Sequence, residues 1–216
     1  MHNDQMLKRT TAGLVSALLG AVLLAGCSDD SDSGSASEST DASTSASASV
    51  SDLPVPEGVE LTPQGTSLAV GDTATLAWEP RQDTVGVIDA RVDRMEKTSF
   101  KRSFAGWRID EATEQTRPYF VRTTITNRGE TDLGGRRIPL YAVDGENRLV
   151  DYSSFGSSFK PCPSTDFPKS FPPGASGEFC LVYLVPDRGD LTAVSFRPTQ
   201  DVNPITWTGE LTRPAS

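Results

Sequence analysis

YFVRTTITN, residues 119–127, carries the most informative pattern in this 216-residue chain. Val121, Thr123 and Ile125 alternate with Arg122, Thr124 and Thr126. A β-strand turns successive side chains to opposite faces, so period-two alternation marks a half-buried strand. Asn127-Arg128-Gly129 supplies the residues that end it. The same signal recurs on both sides. Thr73–Trp78 follows Gly71-Asp72, and Val85–Val92 reads as a strand that can continue to Met95. Leu140–Val143 and Arg148–Tyr152 flank the turn sequence DGEN. Phe179–Val185 is a nearly continuous apolar run closed by Pro186. Leu191–Phe196 follows a PDRGD turn, and Ile205–Trp207 comes last.

Those segments make about eight short strands and no long helix. Many short strands at turn-rich spacing favour a β-sandwich over an α/β fold. Residues 61–216 therefore read as one all-β domain, large enough for a single core. A family resemblance points the same way. The string PYFVRTTITNRGE (118–130), and the spacing of FKPCP (159–163), FPPG (171–174) and CLVYLVP (180–186), resemble a family of uncharacterised secreted actinobacterial lipoproteins. What this resemblance implies is an immunoglobulin-like sandwich, similar to small secreted mycobacterial antigens, and an extracytoplasmic location. It implies no activity.

The N-terminus gives an address. Lys8 and Arg9 precede TAGLVSALLGAVLLAG, residues 11–26, which carries no charge. Charged start, short apolar run and small residues describe a secretory signal peptide. The run is shorter than the roughly 20 residues a membrane-spanning helix needs. Leu24-Ala25-Gly26-Cys27 resembles the bacterial lipobox, which implies a lipid on Cys27 and cleavage before it. Met6 opens a signal peptide of ordinary shape and is an alternative start to Met1. From Ser28 to Ser51 the chain is Ser, Asp, Ala, Thr, Glu and Gly, with Val50 the one large apolar residue. Such a composition cannot bury enough surface to offset the entropy of ordering. Residues 27–60 are therefore expected to form an acidic tether behind the lipidated cysteine, with the domain held at the extracytoplasmic face of the cell membrane.

Charge follows this division. The chain carries a net −9, and residues 1–26 contribute +1 from Lys8, Arg9 and Asp4. Residues 28–60 hold eight carboxylates and no Lys or Arg, so the low isoelectric point belongs mostly to the tether. No strongly basic face suggests nucleic acid as a partner. With Cys27 lipidated, Cys162 and Cys180 remain as a pair in a compartment where disulfides persist.

Most catalytic chemistry finds no support. His2 is the single histidine and lies in the segment expected to be removed. A Ser-His-Asp or Cys-His mechanism would then be missing its base, and no histidine would remain to ligate a metal. No phosphate loop or flavin motif occurs, and no cofactor is expected. Ser157-Ser158-Phe159-Lys160 matches S-x-x-K, but Gly156 and Pro161 bracket it and its companion motifs are missing. Asp144, Glu146, Asn147 and Asp151 lack the spacing of a calcium loop. Arg188-Gly189-Asp190 reads as an ordinary turn. Basic residues between Arg91 and Arg108 are diluted by Asp93 and Glu96.

The remaining candidate is the loop from Tyr152 to Phe171. Tyr152, Phe155, Phe159, Phe167 and Phe171 lie among Ser, Gly and Pro. Rigid aromatics among small polar residues suit recognition of a protein or polysaccharide; alternatively they cap the core. The reading is a lipid-anchored, non-catalytic binding module with this loop as the candidate contact surface. The alternatives are a carboxylate-dependent envelope hydrolase and a purely structural envelope protein.

Overall fold

The computed structural model describes residues 53–155 and 159–214. The signal peptide, Cys27, most of the tether and the Ser157-Ser158 half of S-x-x-K lie outside the described residues. The chain divides into two units, Met1–Thr44 and Ser45–Ser216, and every described residue belongs to the second.

The described residues form an all-β sandwich of two sheets. In chain order the strands are β1 (Ser67–Ala69), β2 (Thr73–Arg81), β3 (Thr84–Lys97), β4 (Arg117–Asn127), β5 (Tyr141–Asp144) and β6 (Leu149–Val150). They continue with β7 (Tyr152–Ser153), β8 (Ser176–Val185), β9 (Leu191–Phe196), β10 (Ile205–Thr208) and β11 (Leu211–Thr212). One sheet runs β1-β10-β9-β5-β6. The other runs β11-β3-β4-β8-β7, with β2 paired to β3. All eight expected strands are present, and the expected Arg148–Tyr152 strand is divided between β6 and β7. The short strands β1 and β11 carry no alternation that a sequence reading would catch.

The stretch that opened the reading is the middle of β4, flanked by β3 and β8. Tyr119, Val121 and Ile125 point into the main core with Leu181, Tyr183 and Val185 of β8. Phe120 points the other way, with Cys180 and Val182 of β8, and it too is buried. This outer face is covered by a segment the sequence left unassigned. Between β3 and β4 lie two single-turn helices, α1 (Phe100–Ser103) and α2 (Glu111–Glu114). Ser99 caps α1 by accepting from the Arg102 N–H, and Asp110 caps α2 by accepting from Thr113. Phe104 and Phe159 stack at 4.5 Å over Phe120, with Trp107 edge-on at 5.4 Å from Phe159. The domain therefore has a main core between its sheets and a small aromatic core outside the β3-β4-β8 sheet.

The Cys162–Cys180 disulfide lies in that outer core, joining β8 to the loop that precedes it. Ser164 knits the same region: it donates to the Ser153 carbonyl and accepts from the Val182 N–H.

Candidate functional site

The aromatic loop is not the contact surface its composition suggests. Tyr152, Phe159, Phe167 and Phe171 are all buried, and Phe155 is half-buried. The loop divides its rings between the two cores. Phe167 and Phe171 stack at 4.7 Å and join Tyr152 in the main core, with Phe179 edge-on to both. Phe155 and Phe159 belong to the outer core with Phe104 and Trp107. Burying an aromatic ring stabilises more than exposing it among small polar residues, so the rings turned inward and left Lys160, Pro161, Pro163 and Lys169 outside.

The first half of the basic segment is engaged within the fold. Arg91 pairs with Asp93 at 2.6 Å, Arg94 and Arg122 share the buried Glu96, and Lys97 meets Asp190 at 3.0 Å. The Asp of the RGD turn accepts from Lys97, Arg117 and the Tyr119 hydroxyl. The Lys97 contact, then the Tyr119 one, hold its carboxyl below the usual carboxylate value. It is an anchor of the β9 entry. A groove of about 770 Å³ runs beside these pairs, from Arg91 to Cys180, but its charged walls are largely engaged with one another.

A cleft of about 550 Å³ is the better candidate, within the size range of ligand sites. It forms where the end of β2, the start of β5 and the β9–β10 connection converge. Trp78, Ile138 and Val202 give it an apolar floor, and Pro80, Pro139 and Pro198 stiffen its walls. Glu79, Asp151 and Asp201 stand at the rim and are exposed. Arg137 and the half-buried Tyr141 complete the lining. Leu53 also contributes, so the chain enters the fold along one wall. Trp78 is set by a close approach: a Cβ on Gly86 would lie 2.9 Å from the indole Cη2.

Tyr152 works from behind this cleft. Its hydroxyl accepts from the Ile138 N–H at 3.2 Å and donates to Asp166. The Arg137 guanidinium lies 4.2 Å over its ring and donates to its carbonyl at 3.2 Å. Burial, then the bond to Asp166, push the phenol well above its ordinary value, so it stays protonated. Burial also raises Tyr141, with the Asp151 charge adding to it. Of the five sequence-selected rings, Tyr152 alone touches the cleft lining through these bonds. The cleft residues themselves come from five separated segments, and no motif links them.

Chemically the cleft offers an apolar floor, a phenol and exposed carboxylates, of which, among the described residues, only Asp151 has a cationic partner, Arg137 at 3.5 Å. Its carboxylates lie exposed at the rim. Among the described residues no group of three His, Cys, Asp or Glu side chains is placed to hold a metal. No helix among them is long and apolar enough to cross a membrane. No protein-family model matches the chain, and neither a curated protein nor a solved structure matches it.

Proposed function

We propose that the chain is a lipid-anchored extracytoplasmic lipoprotein whose sandwich domain acts by binding, through the cleft lined by Trp78, Tyr141 and Val202. The observation that carries the binding site is the cleft itself: an apolar floor, a stiff wall and a polar rim in one concavity. The lipid anchor rests on Leu24-Ala25-Gly26-Cys27 and the apolar run before it.

The test is site-specific photo-cross-linking on intact cells. A benzophenone side chain at Thr199, on the cleft, is compared with one at Lys101, on exposed helix α1. A discrete adduct at position 199 that disappears with Tyr141→Ala is the expected result. Equal adducts at both positions, or an adduct indifferent to Tyr141→Ala, would reject the cleft as the site.

A further inference from the structure

We infer that the cleft takes a small organic cation, an amine carried on an apolar body. This deepens the binding reading above and rests on it.

The floor sets the body. Trp78, Ile138 and Val202 present apolar surface at the bottom of a concavity of about 550 Å³, a size that suits a small molecule. Apolar area withdrawn from water on such a floor adds affinity whatever the charge of the ligand. A bare ion has no such area to bury. The rim also argues against a metal ion. Its carboxylates do not converge: among the described residues no group of three His, Cys, Asp or Glu side chains is placed to hold one. Carboxylates spread around an apolar floor fit a charge that is attached to a larger body.

The rim sets the sign. Glu79, Asp151 and Asp201 bring three carboxylates to the lining, against the single guanidinium of Arg137. That guanidinium is already engaged from three directions. It lies 4.2 Å over the Tyr152 ring, donates to the Tyr152 carbonyl at 3.2 Å and meets Asp151 at 3.5 Å. Its charge is thus committed to the wall. The phenol of Tyr141 registers the balance: after burial, the Asp151 charge raises it by more than the Arg137 charge lowers it. A field that disfavours a phenolate favours an ammonium at the same place. The Tyr141 ring lines the cleft as well, and an aromatic face attracts a cation. Clefts whose charge has one sign focus that field on the ligand. An amine would lay its apolar body on the floor and its cation among the carboxylates, much as a lysine side chain divides itself. An acid of the same shape meets the same rim as repulsion.

The test uses the full-length chain and three probes that share one body: phenylbutylamine, phenylbutanol and phenylbutyric acid. Isothermal titration calorimetry at neutral pH and low salt reads the affinities. The amine should bind about tenfold tighter than the alcohol, and the acid weaker than either. In the double variant Glu79→Gln, Asp201→Asn the advantage of the amine should shrink to about threefold or less, while the alcohol binds as before. Both positions are exposed, and an unchanged melting temperature verifies that the variant is folded. Salt provides the same check on the unaltered chain. Raising sodium chloride should cut the advantage of the amine and leave the alcohol unaffected, because exposed charges are screened. Equal affinity for the amine and the acid overturns the inference. So does an amine advantage that survives both the double variant and high salt. Tighter binding of the blocked tripeptide Gly-Lys-Gly than of phenylbutylamine would put a protein-borne cation in the cleft and also overturn it. If no probe binds while the Thr199 adduct still forms, the amine inference falls and the cleft stands. Loss of both ends both.

Discussion

Asp144 shows how one side chain can look like a ligand in the sequence and act as a strut in the fold. It closes β5 and is only 2% exposed. It accepts from the N–H groups of Glu146 and Arg148 at 2.9 and 2.8 Å, and from Arg148 Nε at 2.6 Å. Burial works to raise its carboxyl, but the Arg148 and Glu146 bonds outweigh it and hold it below the ordinary value. A depressed carboxylate stabilises the fold above its unfolded value of about 3.9, and that contribution is lost as pH falls through the lower folded value. Asp144→Asn should therefore cost about 1–3 kcal/mol at neutral pH by weakening charge-assisted bonds. In thermal melts the gap between wild type and variant should close as the pH drops below about 4. A gap that persists at lower pH would mean that the charge is not what matters. The disulfide belongs to the same scale. Replacing Cys162 and Cys180 with serine should lower stability by about 3 kcal/mol, as expected for a closed loop of this length. Thiol labelling of both residues without reduction would refute the bridge.

At the scale of elements, the loop from Tyr152 to Phe171 behaves as a staple through both cores. Phe159 is 1% exposed and stacks on Phe104, while Phe155 lies at the rim of the same cluster. Phe159→Ala should cost about 3–5 kcal/mol, with Phe155→Ala clearly milder. Equal shifts in chemical-denaturation midpoint would contradict this division. What was legible in the sequence follows the same boundary. β4 was readable because Val121, Thr123 and Ile125 keep a period of two, and β8 because its apolar run is closed by Pro186. The outer core was not, since its cover comes from residues 98–116, whose helices span one turn each and show no apolar periodicity. The five loop aromatics were visible as a group, but composition cannot say which way a ring turns. That depended on Phe120 and Val182 leaving an apolar outer face on the sheet to be covered. The cleft was illegible for a simpler reason. Ala77, Tyr141, Asp151 and Val202 are unremarkable in their own segments, and only the convergence of strand ends brings them together.

At the scale of the whole molecule, the division of charge and the anchor belong to one design. Six carboxylates without a counter-charge (Asp29, Asp30, Asp32, Glu38, Asp41 and Asp52) stand between Cys27 and Leu53. Like charges resist collapse, and they are repelled by an anionic membrane surface. The tether proposed here would thus hold the cleft away from the lipid it hangs from. Chain continuity adds to this, because Leu53 lines the wall of the cleft proposed as the binding site. No helix among the described residues is long and apolar enough to cross a membrane, and in the arrangement proposed here the lipid is the anchor. Each buried methylene of a lipid contributes about 0.8 kcal/mol, and a single chain holds a protein only marginally. Removing the lipid should therefore release the protein outright. Cys27→Ala is expected to move the chain from the detergent phase to the aqueous phase in cloud-point partitioning and to abolish incorporation of labelled fatty acid. Its domain should melt at the wild-type temperature, because Cys27 takes no part in the Cys162–Cys180 bridge. Detergent-phase partitioning unchanged in that variant would show that something other than Cys27 holds the protein at the membrane, and the tethered geometry proposed for the cleft would fall with it.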